Sequence, residues 1–206
     1  MKIVVITNET LKQELLAQGL SDIIQVTWQS TPTLLEGAIG YIDLLFDDSE
    51  ERIEKLKQLQ PAAIIVNAVY TNMELPSGFI RINGWNSFLK RSLTEASGTT
   101  EKKVITEKIF GGFNKTVEWV PDIPGFITAR VISMIINEAF FTLDEKVSTK
   151  EDIDTAMKMG TNYPYGPFEW GSVIGLKNVY DLLIILAKTN SRYTPSTLLQ
   201  KEVLLS

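Results

Sequence analysis

The chain reads as an α/β domain followed by an all-helical one, and three observations predict this. Short apolar runs alternate with amphipathic helical segments through the first half, the pattern of a parallel sheet with right-handed crossovers. From Pro124 onward the apolar spacing becomes helical. Pro121 and Pro124 punctuate the change, which places the boundary between residues 1–121 and 122–206.

Each element has a local reason. Lys2 to Thr7 is a β-branched run suited to a buried first strand. Glu9 to Gln18 has helical spacing with Leu11, Leu15 and Leu16 on one face, and Gly19 ends it. Ile23 to Trp28 reads as a second strand, and Ser30-Thr31-Pro32 as a helix start with a cap before proline. Tyr41 to Phe46 is a third strand. Ser49 to Leu59 is a charged amphipathic helix stopped by Pro61, and Ala63 to Val66 a fourth strand. Phe79 to Ile82 and Val117 to Val120 are later strands. Beyond Pro124, Ile127, Val131, Ile135, Ala139 and Leu143 recur every fourth residue, a stripe that suits a core or a dimer interface. Ser148-Thr149-Lys150-Glu151 fits a capping box, and Gly160 closes the helix it starts. Asn162 to Pro167 is a proline turn, and Leu176 to Lys188 a last long helix.

Composition removes several classes of chemistry. The chain has no cysteine and no histidine, so thiol nucleophiles, disulfides, thiolate zinc sites and Ser-His-Asp mechanisms are excluded within it. No metal site is expected. A net charge of −5 gives no electrostatic reason to expect nucleic acid or an anionic membrane as partner. The amino-terminal segment lacks the features of a signal peptide, and the longest apolar run, near Leu182 to Ala187, is too short to span a bilayer. A cytoplasmic protein is expected.

Three ordered segments carry a resemblance: Pro124 to Arg130 (P-G-F-I-T-A-R), Glu151 to Met157 (E-D-I-D-T-A-M) and Tyr163 to Glu169 (Y-P-Y-G-P-F-E). They resemble the P-G-F-I-x-N-R, E-D-I-D-x-A-M and Y/H-P-x-G-P-F/L-E motifs of the 3-hydroxyacyl-CoA dehydrogenase family. The resemblance implies a truncated Rossmann-like domain followed by a helical C-terminal domain of the 6-phosphogluconate-dehydrogenase type. A piece is missing between the second and third strands, where only about a dozen residues join Trp28 to Tyr41. The family links the chain to acyl-CoA metabolism, in which NAD takes a hydride from C3 of a 3-hydroxyacyl-CoA while a histidine removes the hydroxyl proton. A glutamate orients that histidine, and a serine and an asparagine hydrogen-bond the reacting groups.

Those positions can be followed one by one. Asn83-Gly84-Trp85-Asn86-Ser87 and Leu93-Thr94-Glu95 match the family's H-F-F-N-P and L-V-E. Glu95 and Asn86 are retained, but the base position holds Asn83, whose amide has no accessible proton equilibrium. The serine position holds Val69 and the asparagine of P-G-F-I-x-N-R holds Ala129. A dinucleotide site needs G-x-G-x-x-G after the first strand, so that backbone amides can reach a pyrophosphate. Thr7, Glu9 and Lys12 stand at those positions, and Glu9 sets a carboxylate where phosphate charge would lie. Lys90 and Arg91 could meet CoA phosphates. The expectation is a non-catalytic family member with no cofactor that pairs as a homodimer through its helices and contacts acyl-CoA. Two alternatives remain: an active NAD-dependent enzyme with Glu95 as its base, and a pure protein-partner module.

Overall fold

The computed structural model describes residues 1–205. The chain divides into two compact units, Met1–Phe126 and the segment from Ile127 onward.

The first unit is built on β1 (Lys2–Ile6), α1 (Glu9–Leu15), β2 (Gln25–Gln29), β3 (Gly40–Asp43), α2 (Glu50–Lys57), β4 (Ala63–Asn67), β5 (Phe79–Ile82), β6 (Leu93–Ser97), α3 (Thr100–Gly111) and β7 (Thr116–Trp119). The strands form one sheet in the order β2-β1-β3-β4-β5-β6-β7. Each neighbouring pair is parallel except β5 and β6, which run antiparallel with Arg81 opposite Ser97 and Ile82 opposite Ala96. The expected Rossmann-like parallel sheet is therefore present with one reversed pairing.

Strand alternation sends one set of side chains to each face. Ile3, Val5, Ile42, Ile65, Ile80 and Ile82 pack under α1 and α3, against Leu11, Leu15, Ile109 and Phe110. Val4, Ile6, Tyr41, Ile64, Val66 and Phe79 pack on the other face with Leu56 of α2. Ser49 caps α2 by accepting the Arg52 N–H, and Arg52 in turn forks onto buried Asp43 at 2.7 and 2.8 Å, pinning the helix to the end of β3. Burial raises the Asp43 pKa, with Arg52 opposing.

Several expectations change. The helix start placed at Ser30-Thr31-Pro32 is absent. Gly37 lies at φ 75, and the Leu35 N–H is taken by the Tyr41 hydroxyl at 2.9 Å, so the segment closes as a loop. The first helix is α-helical only to Leu15 and finishes as a 3₁₀ turn, Leu16–Gln18. β6 and α3 are elements that the apolar pattern did not indicate.

The second unit comprises α4 (Thr128–Asp144), α5 (Lys150–Thr161), α6 (Pro167–Ile174), α7 (Leu176–Ala187) and α8 (Thr197–Leu205). Its core joins Ile136 and Phe140 of α4 to Phe168, Trp170, Leu182, Leu183 and Leu186, with Phe140 and Phe168 edge to face at 5.0 Å. Asn137 is buried and staples the chain before α8, accepting the Ser196 N–H and donating to the Thr194 carbonyl. The expected α4 stripe divides: Ala139 is buried, whereas Ile127 and Val131 are about half exposed, at 54% and 49%. The α5 cap is Thr149 with Asp152, one residue later than the Ser148–Glu151 box, because the Thr149 hydroxyl receives the Asp152 N–H. α5 passes through Gly160 and stops at Asn162, which adopts the left-handed conformation. Leu176–Ala187 is not the last helix, since α8 follows it.

Among the described residues no single helix is long and apolar enough to cross a membrane. α6 and α7 pass that test only together; they are bent by 96° and carry much of this unit's core.

Candidate functional site

The antiparallel pairing of β5 with β6 sets Asn83, the residue after β5, opposite Glu95. The Asn83 N–H donates to the Glu95 carbonyl at 3.0 Å, and its side-chain amide donates to Glu95 Oε2 at 3.2 Å. Both residues are buried, at 3% and 7% exposure. Asn83 Oδ1 accepts the Trp85 N–H at 3.4 Å, so the amide is held at both ends. An amide in this place bridges two groups and neither takes nor releases a proton near neutral pH. The Glu95 charge also acts on Arg91, whose guanidinium lies 4.6 Å from the Phe88 ring. Burial lowers the Arg91 pKa and Glu95 opposes this.

The neighbouring positions are filled from the chain itself. Asn67, at the end of β4, donates to the Leu44 and Gly84 carbonyls and accepts the Gly84 N–H at 2.9 Å. A Cβ on Gly84 would lie 2.8 Å from Asn67 Cγ, so this bracket requires glycine there. Val69, at the serine position, is buried and contributes only its carbonyl, which accepts from Arg81 Nη2 at 2.9 Å and from the Gly125 N–H at 2.8 Å. Asn86 and Lys90 are partly buried in the turn after Asn83. That turn is tied down: the Ser87 N–H lies on the Glu14 carboxylate at 2.7 and 2.9 Å, and Gln18 Nε2 donates to the Lys90 carbonyl. The ammonium of buried Lys115 binds the Leu89 and Arg91 carbonyls. Burial drives the Lys115 pKa down to about 8, with Glu14 opposing. Ala129 is fully buried in α4 of the second unit.

The start of α1 is likewise self-contained. Asn8 Oδ1 accepts the Leu11 N–H at 2.9 Å, a side-chain cap on one of the amides that a phosphate would need. Glu9 in the first turn accepts from Gln13 at 2.6 Å and pairs with Lys12. Its pKa is lowered first by Gln13 and then by Lys12. Lys12 lies 5.3 Å over the Trp28 ring, and the Thr7 hydroxyl donates to the Asn8 carbonyl. The glycine-loop positions thus hold a capped and acidic first turn on a seven-residue helix.

The family motifs of the second unit form a clasp. Asp154 of α5, 8% exposed, accepts the Phe168 and Glu169 N–H groups at 2.8 and 3.1 Å and so caps α6. A Cβ on Gly166 would come within 2.3 Å of Asp154 Oδ1. Glu169 accepts the Gly166 N–H and pairs with Lys158; Lys158 is the larger cause of its lowered pKa.

Sequence reasoning passed over Arg81 and Lys115. In the first case the signal was present: one arginine inside the otherwise apolar strand Phe-Ile-Arg-Ile.

The profile of the 3-hydroxyacyl-CoA dehydrogenase C-terminal domain matches residues 125–205. The 3-hydroxyadipyl-CoA dehydrogenase of Escherichia coli (strain K12) is 44% identical over 93 residues, 44% of this chain and 20% of that protein. The 3-hydroxybutyryl-CoA dehydrogenase of Clostridioides difficile is 31% identical over 148 residues, 69% of this chain and 53% of that protein. The chain therefore spans about half, or less, of the length of these curated relatives. The crystal structure of (S)-3-hydroxybutyryl-CoA dehydrogenase from Ralstonia eutropha matches with a TM-score of 0.78 at 17% identity, covering 99% of this chain and 93% of that one, a likeness of fold.

Proposed function

This chain belongs to the 3-hydroxyacyl-CoA dehydrogenase family, and from that premise we propose that it is a non-catalytic, self-associating member. One observation carries the reading: the amide of Asn83 occupies the base position and is hydrogen-bonded to Glu95, in a chain that contains no histidine. Removal of the C3 hydroxyl proton needs a base whose protonation changes near neutrality. Asn83 offers none, and Glu95 spends an oxygen on holding it. Val69 and Ala129 bring no side-chain donor to the reacting oxygen.

The residues at the start of α1 do not fit a dinucleotide. Asn8 satisfies an amide that a pyrophosphate would use, and the exposed Glu9 carboxylate adds like charge where phosphate would lie.

The helical unit supplies the retained activity, pairing with a second copy. Ile127 and Val131 expose an apolar line along α4. Beside it lies a groove of about 400 Å³ whose walls include Ile135, Ala139, Val147, Ile153 and Met157. A line and groove of this kind suit a self-complementary helix contact. Acyl-CoA is the ligand class to test, with Lys90 and Arg91 as its phosphate contacts, in a cytoplasmic setting.

Titration with NADH and acetoacetyl-CoA, together with sedimentation of the pure protein, tests this. The expected result is a dimer with no NADH heat and no turnover. Micromolar NADH binding with turnover that collapses in Glu95→Gln would establish the active-enzyme reading instead. A monomer that copurifies with another chain would establish the partner-module reading.

A further inference from the structure

A second feature of the first unit owes nothing to the Asn83–Glu95 pair. Arg81 sits in β5 and is 7% exposed. Its Nε donates to the Ala68 carbonyl and its Nη2 to the Val69 carbonyl, both at 2.9 Å, while the Phe126 ring lies 5.0 Å from the guanidinium carbon. Its remaining partner is the Asp122 carboxylate, reached from Nη1. The ion pair is uneven. The Arg81 side chain is 8% exposed, but that of Asp122 is 63% exposed. A buried guanidinium must keep an anion, whereas an exposed carboxylate is solvated with or without its partner. Exchange of one carboxylate for another is therefore the inexpensive change at this position.

The pair lines a cavity of about 530 Å³, within the range of small-molecule sites. One part of its lining is hydroxyl-bearing, with Thr71, Ser77, Ser97 and Thr99; another is apolar, with Met73, Leu75, Pro76 and Val120. Thr99 stands at the N-cap of α3, makes no side-chain cap hydrogen bond, and its buried hydroxyl has no partner.

We propose that this cavity binds a small organic monocarboxylate, whose carboxylate replaces that of Asp122 on Arg81 and whose short alkyl chain lies against Met73, Leu75 and Pro76. A monocarboxylate exchanges charge for charge. A phosphate dianion would add a second negative charge beside Glu74 and Asp122, so the cavity selects against it. Neither Asn83 nor Glu95 lines the cavity, so the site stands or falls separately from the loss of catalysis.

Calorimetric titration of the full chain with sodium hexanoate, and separately with inorganic phosphate, at fixed ionic strength tests the proposal. Hexanoate is expected to bind and phosphate to bind less tightly. Asp122→Asn keeps the shape of the side chain and removes its competing charge, and should bind hexanoate about tenfold more tightly. Arg81→Lys removes the guanidinium fork and should bind it more weakly. Asp122→Asn leaves the buried guanidinium without its anion until a ligand binds, so the fold of both variants is checked by circular dichroism; should either not fold, the other decides together with the comparison of hexanoate and phosphate on the unaltered chain. Unchanged affinity in Asp122→Asn, phosphate binding equal to that of hexanoate, or no hexanoate heat in either protein would overturn the site.

Discussion

Two buried carboxylates stand in family motifs of this chain, and they have different company. Asp154 accepts two backbone N–H groups at the start of α6, and Gly166 is shaped around it. Glu95 accepts an amide from Asn83, in the place where its motif calls for a histidine. The motif residues present in the clasp hold the fold: they cap a helix and allow a close approach. Val69, Asn83 and Ala129 stand where the sequence resemblance expects the residues with a chemical duty. Resemblance carried by the first kind therefore speaks for architecture, and activity has to be read from the second kind.

The contrast is open to attack, beginning with the largest effect. Asp154→Ala leaves the α6 amides without their acceptor and should cost roughly 3 kcal/mol in denaturant unfolding of the helical unit. A cost below that of Asn83→Ala would invert the comparison. Lys115, under the turn that carries Asn86, Lys90 and Arg91, comes next. Its folded pKa of about 8 lies below the ordinary lysine value, so between those two pH values the unfolded chain holds a proton that the folded chain has lost. Stability should therefore rise with pH across that window, by about 2–3 kcal/mol from this group. Lys115→Met should lose that increment, as read from unfolding midpoints at several pH values.

Asn83 is third. Asn83→Ala removes its side-chain hydrogen bonds to Glu95 and from the Trp85 N–H, the second of them long, and should cost about 1–2 kcal/mol. Asn83→His should give an imidazole titrating above its ordinary value of about 6.5, because Glu95 faces it, yet should recover no NAD-dependent turnover. NMR titration checks the first outcome and an absorbance assay the second; recovered turnover would show that Asn83 was the single missing part. The smallest effect concerns the α5 cap. Thr149→Ala should cost about 1 kcal/mol and Ser148→Ala much less, and the reverse order would restore the earlier capping position.

Much of the fold was legible because local signals agreed with burial. Ser49 and Pro61 bracket α2, and the β-branched runs at Lys2 and Ala63 became central strands. What escaped did so for physical reasons. β6, Leu-Thr-Glu-Ala-Ser, looks polar, and it is a strand because β5 and β7 flank it on both edges. In α3 the exposed Val104 blurs the stripe made by Ile109 and Phe110. Ser30-Thr31-Pro32 carries a helix-start signal, but Gly37 and the Tyr41 hydroxyl close the segment as a loop. At the site, aligned residues were enough to place Asn83 beside Glu95. Arg81 was not placed, since its partners Ala68, Val69 and Asp122 come together only through the sheet and the segment that follows β7.

The Asn83-Gly84 step has a consequence for how the protein ages. Asparagine followed by glycine deamidates when the glycine nitrogen attacks the side-chain carbonyl carbon, closing a five-membered imide and expelling ammonia. In the folded chain that nitrogen points its hydrogen at Asn67, and the asparagine amide is drawn toward Glu95. Ring closure must break both contacts, so folding acts as a preservative for this bond, and each excursion to the unfolded state exposes it to hydrolysis.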